Sequence, residues 1–244
     1  MSKRLLIAVK SCQKDKQDGA HQAIRETWGK VLPEGVDLLF FVGGDTAPTL
    51  DSDERYVPVP DGYWELHPKM LAIVAYAVRE DYDFVNLCDT DTYLILSKMI
   101  ASGFDSYDYS GAPLNPKDGV FGKAYPGVET DYNGFVVSPF YVYLSGGHGT
   151  ILSRKAAGIV AAAPRVPNNS EDLMLGQILG PFIRDGQLRA TVLPNYAEHT
   201  QNSDASHGGP IAWHLNCGFY GGGHKQRLKP ADAVRRKHQE IQRG

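Results

Sequence analysis

Cysteine is scarce in this 244-residue chain: Cys12, Cys88 and Cys217 are odd in number, far apart and never in a Cys-x-x-Cys pair. That scarcity argues against a disulfide framework and a zinc–thiolate site, and it suits a reducing compartment. Long hydrophobic runs are missing as well. A bilayer-spanning helix needs about 20 consecutive apolar residues, and no stretch approaches that length. Leu5-Leu6-Ile7-Ala8-Val9 follows Lys3-Arg4 as the core of a signal peptide would, but it is short, and Lys10–Lys16 stands where a cleavage site belongs. The run reads instead as a first buried strand, so the expectation is a cytoplasmic protein with no stable membrane insertion. With no secretion signal, the sequon Asn168-Asn169-Ser170 is expected to go unused. Internal repeats and low-complexity tracts are also absent, which leaves one domain with elaborated loops as the simplest organisation.

No charge sign dominates, since the formal net charge is only −3, but the distribution is uneven. From Lys225 to Gly244 there are seven Lys/Arg against two acids, leaving 18 bases and 26 acids in the rest. The expected organisation is a domain over residues 1–224 followed by a basic helix or tail over 225–244. Such a tail can meet phosphate backbones or form a solvated terminal helix.

What is present is an ordinary globular composition, 42% hydrophobic and 22% charged, long enough for a substantial core. Strand-like runs fall at Leu5–Val9, Asp37–Val42, Asp83–Leu87, Tyr141–Leu144 and Arg189–Leu193. Helical periodicity falls at His21–Lys30, His67–Glu80, Lys98–Gly103, Arg154–Ala163 and Leu173–Leu179. Strands alternating with helices predict an α/β domain. Ser110–Ser138 is Gly-, Pro- and Tyr-rich without periodicity, and a loop of that length is usually functional or contains irregular strands.

The chemistry concentrates in a few segments. Asp89-Thr90-Asp91 follows the apolar run Phe84–Cys88, so two carboxylates emerge where a strand leaves the core, the edge at which α/β folds bind ligands. Carboxylates that close repel unless a cation sits between them, and Mg²⁺ or Mn²⁺ favours oxygen ligands; exposed turns also carry Asp-x-Asp. Arg25 and Lys69 could each reach a diphosphate or serve structure. The glycines at 146 and 147 let backbone approach a ligand closely or simply make a turn. Asp172 at a helix start could cap that helix or act as a general base. His214 could complete a mixed Asp/His metal site or be a structural histidine.

Taken in order, these segments resemble glycosyltransferase family 31, the family of β-1,3-galactosyltransferases, β-1,3-N-acetylglucosaminyltransferases and Fringe-like enzymes. His21–Gly29 is similar to its Arg-x-x-Ile-Arg-x-Thr-Trp-Gly opening, and Asp61-x-Tyr63-x-x-Leu66-x-x-Lys69 to its Asp-x-Tyr-x-Asn-Leu-Thr-x-Lys. Asp89-Thr90-Asp91-Thr92-Tyr93-Leu94 stands in the place of Asp-Asp-Asp-Val-Phe-Val. Tyr143–Ser153 resembles Tyr-x-x-Gly-x-Gly-Tyr-x-x-Ser, and Glu171-Asp172-x-x-x-Gly176 resembles Glu-Asp-Val-x-x-Gly. Departures are His21 for the basic residue, Glu65 for Asn, Thr90 for the middle Asp, and His148 inserted after the Gly pair. Eukaryotic members also carry a membrane anchor and lumenal disulfides.

The resemblance implies a GT-A glycosyltransferase fold: a single Rossmann-like α/β domain around a mixed, mostly parallel central sheet. It implies an inverting transfer from a UDP-sugar to an acceptor hydroxyl. Asp91 would bind Mn²⁺ or Mg²⁺, with His214 as second ligand, and Asp89 would hold the donor or reach the metal. Arg25, Lys69 and Gly147 would contact the nucleotide sugar, and Asp172 would be the base. Trp64, Tyr132 and Tyr141 could stack on sugar or base. The acceptor would be a saccharide or a hydroxymethylated base in viral DNA. Two other readings are a metal-dependent phosphohydrolase or nuclease using Asp89, Asp91, His199, His207 and His214, and a non-catalytic carbohydrate-binding relative.

Overall fold

The computed structural model describes residues 3–62, 65–112, 144, 146–163, 171–193, 211–215 and 228–243. Its centre is a seven-stranded mixed sheet. The strands are β1 (Leu5–Ser11), β2 (Val36–Val42), β3 (Glu54–Tyr56), β4 (Phe84–Asp89), β6 (Tyr109–Gly111), β7 (Thr150–Ser153) and β8 (Ala190–Val192), in the order β3-β2-β1-β4-β7-β6-β8. The first four are mutually parallel, β7 runs antiparallel to β4 and β6, and β8 is parallel to β6. A separate ribbon pairs β5 (Thr92–Leu94) with β9 (Ala212–His214) antiparallel.

All seven residues of β1 are buried, because it lies mid-sheet with helices on both faces. Side chains alternate across a strand, and β1 divides accordingly. Leu5, Ile7 and Val9 join Ile24 and Trp28, borne on and just beyond α2 (Ala20–Glu26), and Val234 of α7 (Pro230–Arg243). Leu6 and Ala8 join Met70, Ile73, Val74 and Ala77 of α3 (Leu66–Arg79), with residues of α5 (Arg154–Ala162) and α6 (Glu171–Arg184). The periodic stripe of α3 is thus the face that covers the sheet. Pro68 sits in its first turn, where a missing N–H costs nothing. The Ser153 hydroxyl caps α5 by accepting from the Ala156 N–H at 3.2 Å.

The expected strands at Leu5–Val9, Asp37–Val42 and Asp83–Leu87 are β1, β2 and β4, the first two slightly longer and β4 shifted to start at Phe84 and end at Asp89. The patterns missed α1 (Gln13–Gln17), a single polar turn, the four-residue β7, and the three-residue strands β3, β5, β6 and β9, all of them short for showing a period of two. The expected helix Leu173–Leu179 is longer, Glu171–Arg184, and runs through Pro181. Helix α4 (Leu96–Ala101) starts two residues before its periodic stretch. Most of the expected strand Tyr141–Leu144 and of the Ser110–Ser138 segment lies outside the described residues. Among the described residues, no helix is long and apolar enough to cross a membrane.

Candidate active site

The strand order reverses between β1 and β4. From β1 the chain steps outward through β2 and β3, then returns to place β4 on the other side of β1. At such a switch point the loops leaving two neighbouring parallel strands part, and a crevice opens at their C-terminal ends. Here those ends are Ser11-Cys12 and Asp89, with Lys10 and Asp89 in register across the pair.

Alternation sends the last two residues of β1 to opposite faces, and each starts a charge network. On the α6 side the Lys10 ammonium, with a side chain only 1% exposed, lies 3.0 Å from Asp89 Oδ1 and also bonds the Glu171 carboxylate. Burial lowers its pKa, but Asp89 and Glu171 outweigh that and hold Lys10 well above the usual lysine range. The Glu171 carboxyl is pushed up by burial, against the pull of Lys10. Gly146 lies against the same carboxylate, where an added Cβ would come within 3.0 Å of Glu171 Oε1.

On the α2 side, Ser11 Oγ is 2.6 Å from His21 Nε2, and His21 Nδ1 is 2.6 Å from Glu54 Oε1. Burial lowers the pKa of His21, against the opposing pull of Glu54, favouring the neutral ring. Burial raises the Glu54 carboxyl, but bonds from Lys16, the Asp51 N–H and His21 prevail and bring it down to about 2. An ionised carboxylate only accepts, so Nδ1 donates to Glu54 and the neutral ring accepts the Ser11 hydroxyl proton at Nε2. All three residues are buried, and the His21 ring stacks on Phe40.

Around the acidic motif the bonds converge. The Thr90 hydroxyl donates to Asp15 Oδ2 at 2.6 Å. Burial raises the Asp15 carboxyl, and the nearby Asp91 charge adds to that rise. The Asp89 N–H donates to Thr92 Oγ1, whose own proton goes to the Gly147 carbonyl at 2.8 Å. The Leu215 N–H, just past β9, donates to the Asp91 carbonyl at 2.9 Å.

The structure therefore brings Asp89, Asp91, the Gly146-Gly147 turn and the start of α6 to one strand edge. Asp172 is half-buried beside Glu171 in the first turn of α6. Lys69 is buried below the edge, its ammonium bonded to the Ser11 carbonyl and 3.2 Å from Asp61 Oδ1, while Asp61 Oδ2 accepts the Gln13 N–H. The Arg25 guanidinium reaches Asp53 at 2.6 Å, Glu54 at 3.1 Å and Asp51 at 3.2 Å. These three acids are close enough to suit a cation, and Arg25 and Lys16 already occupy them. The backbone of His214 pairs with Thr92. Trp64, Tyr132, Tyr141, His199 and His207 lie outside the described residues.

The sequence carried no assigned role for Lys10, Asp15, Glu171 or the Ser11–His21–Glu54 series, although His21 and Glu171 fall within segments that resemble the family. One signal was available: Lys10 directly follows the apolar run Leu5–Val9 of a buried strand, and a cation buried there needs a carboxylate. Which carboxylate is a matter of strand order, which local spacing does not carry.

No protein-family profile matches the chain, and no curated protein does. Among solved structures, a crystal structure of an active-site mutant of LgtC is similar with a TM-score of 0.47 and 11% sequence identity, covering 98% of this chain and 95% of that one.

Proposed function

We propose that this protein is an inverting, metal-dependent glycosyltransferase of GT-A fold, related to family 31, that moves a sugar from a UDP-sugar to an acceptor hydroxyl. One observation carries the reading. The acidic motif, the Gly146-Gly147 turn and the first turn of α6 are three of the segments that resemble the family, and they meet at the sheet's switch point, joined by Lys10 and Thr92.

Carboxylate oxygens are the donors a hard divalent cation takes. Asp91 is a carboxylate only 6% exposed, with the half-buried Asp15 near enough that their charges oppose each other, and a cation relieves that opposition. Asp91 would hold Mn²⁺ or Mg²⁺ with His214, and Asp89 would hold the donor or reach the metal. When bound, the cation supplies positive charge to the departing diphosphate. Asp172 takes the proton of the acceptor hydroxyl as that oxygen attacks the anomeric carbon from the face opposite the leaving UDP. Inversion follows from that geometry. Gly147 lets backbone approach the sugar. Lys69 and Arg25 act from beneath the nucleotide pocket, fixing the loops after β1 and before β3.

The acceptor is a saccharide. The basic C-terminal segment would favour DNA, but two of its cations among the described residues meet acids elsewhere in the chain: Lys229 with Asp18 at 2.7 Å and Arg235 with Glu26 at 3.1 Å. The test is a panel of nucleotide sugars with Mn²⁺, scored for UDP release with saccharide acceptors, with DNA carrying hydroxymethylated bases, and with water alone. UDP release that depends on one donor and one saccharide is expected. Asp172→Asn should lower transfer by about 10²–10⁴-fold, the usual worth of a positioned base, while donor binding persists. No release with any pair, or transfer undiminished in Asp172→Asn, would refute the assignment.

A further inference from the structure

The β5–β9 ribbon is two strands of three residues each, outside the main sheet. A two-stranded ribbon that short has no stability of its own, so its position is set by what packs on it. On one side Thr92 bonds the Gly147 carbonyl. On the other lies α7. Tyr93, pointing opposite to Thr92, places its hydroxyl 2.7 Å from His238 Nδ1. Lys237, whose side chain is 9% exposed, sets its ammonium 4.6 Å from the centroid of the Trp213 ring. Tyr93 and Trp213 themselves meet edge to face at 6.1 Å.

Helix α7 seats Ala231 and Val234 in the core beside Ile24 and Trp28 of the α2 region, while the exposed ion pairs of Arg235 with Glu26 and of the preceding Lys229 with Asp18 add little. Its buried Lys237 and its His238 turn to the ribbon. A cation held over a desolvated indole and a buried tyrosine hydroxyl with a partner are both demanding of geometry.

We infer that α7 is a clamp that fixes the ribbon, and through it Asp91, for cation binding. Asp91 immediately precedes β5, and its carbonyl is tied to Leu215 just past β9, so a shift of the ribbon carries the metal-binding carboxylate with it. The basic C-terminal segment is then part of the donor site's scaffold. The inference rests on the metal site proposed above, and Tyr93 and Lys237 are positioning residues within it.

The test uses the full chain. Mn²⁺ binding is titrated by loss of the free-ion electron paramagnetic resonance signal in wild type, Tyr93→Phe, Lys237→Met and the double variant, each melted in parallel by circular dichroism. Tyr93→Phe removes one oxygen and keeps the ring, so it folds even if Lys237→Met does not. Supporting groups around metal ligands are worth about 10–100-fold in affinity. The dissociation constant for Mn²⁺ should rise about ten-fold in the double variant and several-fold in Tyr93→Phe, with Arg236→Gln on the exposed face of the same helix unchanged. Unaltered Mn²⁺ affinity in Tyr93→Phe and Lys237→Met, with only a lower melting temperature, reduces α7 to packing and overturns the inference. Wild type that binds no Mn²⁺ overturns the metal site and the clamp together.

Discussion

Lys10 is the penultimate residue of a strand whose other residues, Ser11 apart, are apolar, and its ammonium serves two carboxylates from separate parts of the chain. Removing one partner from a buried ionic network leaves the remaining charges uncompensated, at a cost of about 3–5 kcal/mol. Lys10→Met should therefore destabilise by roughly that amount in urea unfolding at pH 7, and adding Glu171→Gln should recover a good part of it. Full additivity of the two changes would show that the groups do not interact. On the other face His21 gives a pH signature. Its folded pKa lies below the ordinary 6.5 because burial disfavours the charged ring. The unfolded chain therefore binds the proton more readily. This contribution to stability is complete above pH 6.5 and falls as the pH drops from there toward the folded pKa. Glu54, brought from 4.5 to about 2, adds stability above pH 4.5 that is lost as the pH falls toward 2. His21→Gln should flatten the melting temperature just below pH 6.5 and leave the fall below pH 4.5. A profile identical to wild type between pH 5 and 7 would remove His21 from the account.

Among elements, the loops leaving β1 and β2 are fixed by polar groups rather than by a core. Lys69 of α3 reaches the end of β1, and Asp61 joins Lys69 to the start of α1. Gly43, just past β2, lies against both: an added Cβ would clash with the Asp61 carboxylate and stand 2.8 Å from Lys69 Cε. Overpacking of this kind costs about 1–3 kcal/mol, so Gly43→Ala should lower stability by that amount, measured by chemical denaturation. A neutral result would mean that the Asp61 loop gives way freely. Long elements such as α3 and β4 were legible in the sequence because burial on one face imposes a period. The ribbon strands β5 and β9 were not. Three residues carry no period, and β5 and β9 are held by partners more than a hundred residues apart in the chain.

For the whole molecule, a ligand that binds only the folded state adds RT ln(1 + [L]/Kd) to stability, about 2.7 kcal/mol at a hundredfold excess over Kd. UDP with Mn²⁺ should raise the melting temperature, and UDP with chelator should raise it much less. Asp91→Asn should abolish the metal-dependent part. A shift that survives in Asp91→Asn would place the cation elsewhere.

The sequence by itself determined the alternation of strands and helices, the apolar faces that build two core layers, and the candidate acids at strand and helix ends. Those follow from local periodicity and from the placement of charge beside apolar runs. The tertiary structure decided which charges meet. Register across β1 and β4 put Lys10 beside Asp89, and the α6 start brought Glu171 to the same ammonium. Arg25 and Lys69, which the sequence offered as nucleotide contacts, were drawn to acids beneath the edge. Of the C-terminal cations, Lys237 became a contact between α7 and the ribbon that follows Asp91, while Lys229 and Arg235 found acids of the α1–α2 region. A buried charge takes whichever opposite charge the fold places within reach, and that distance is set by strand order and packing.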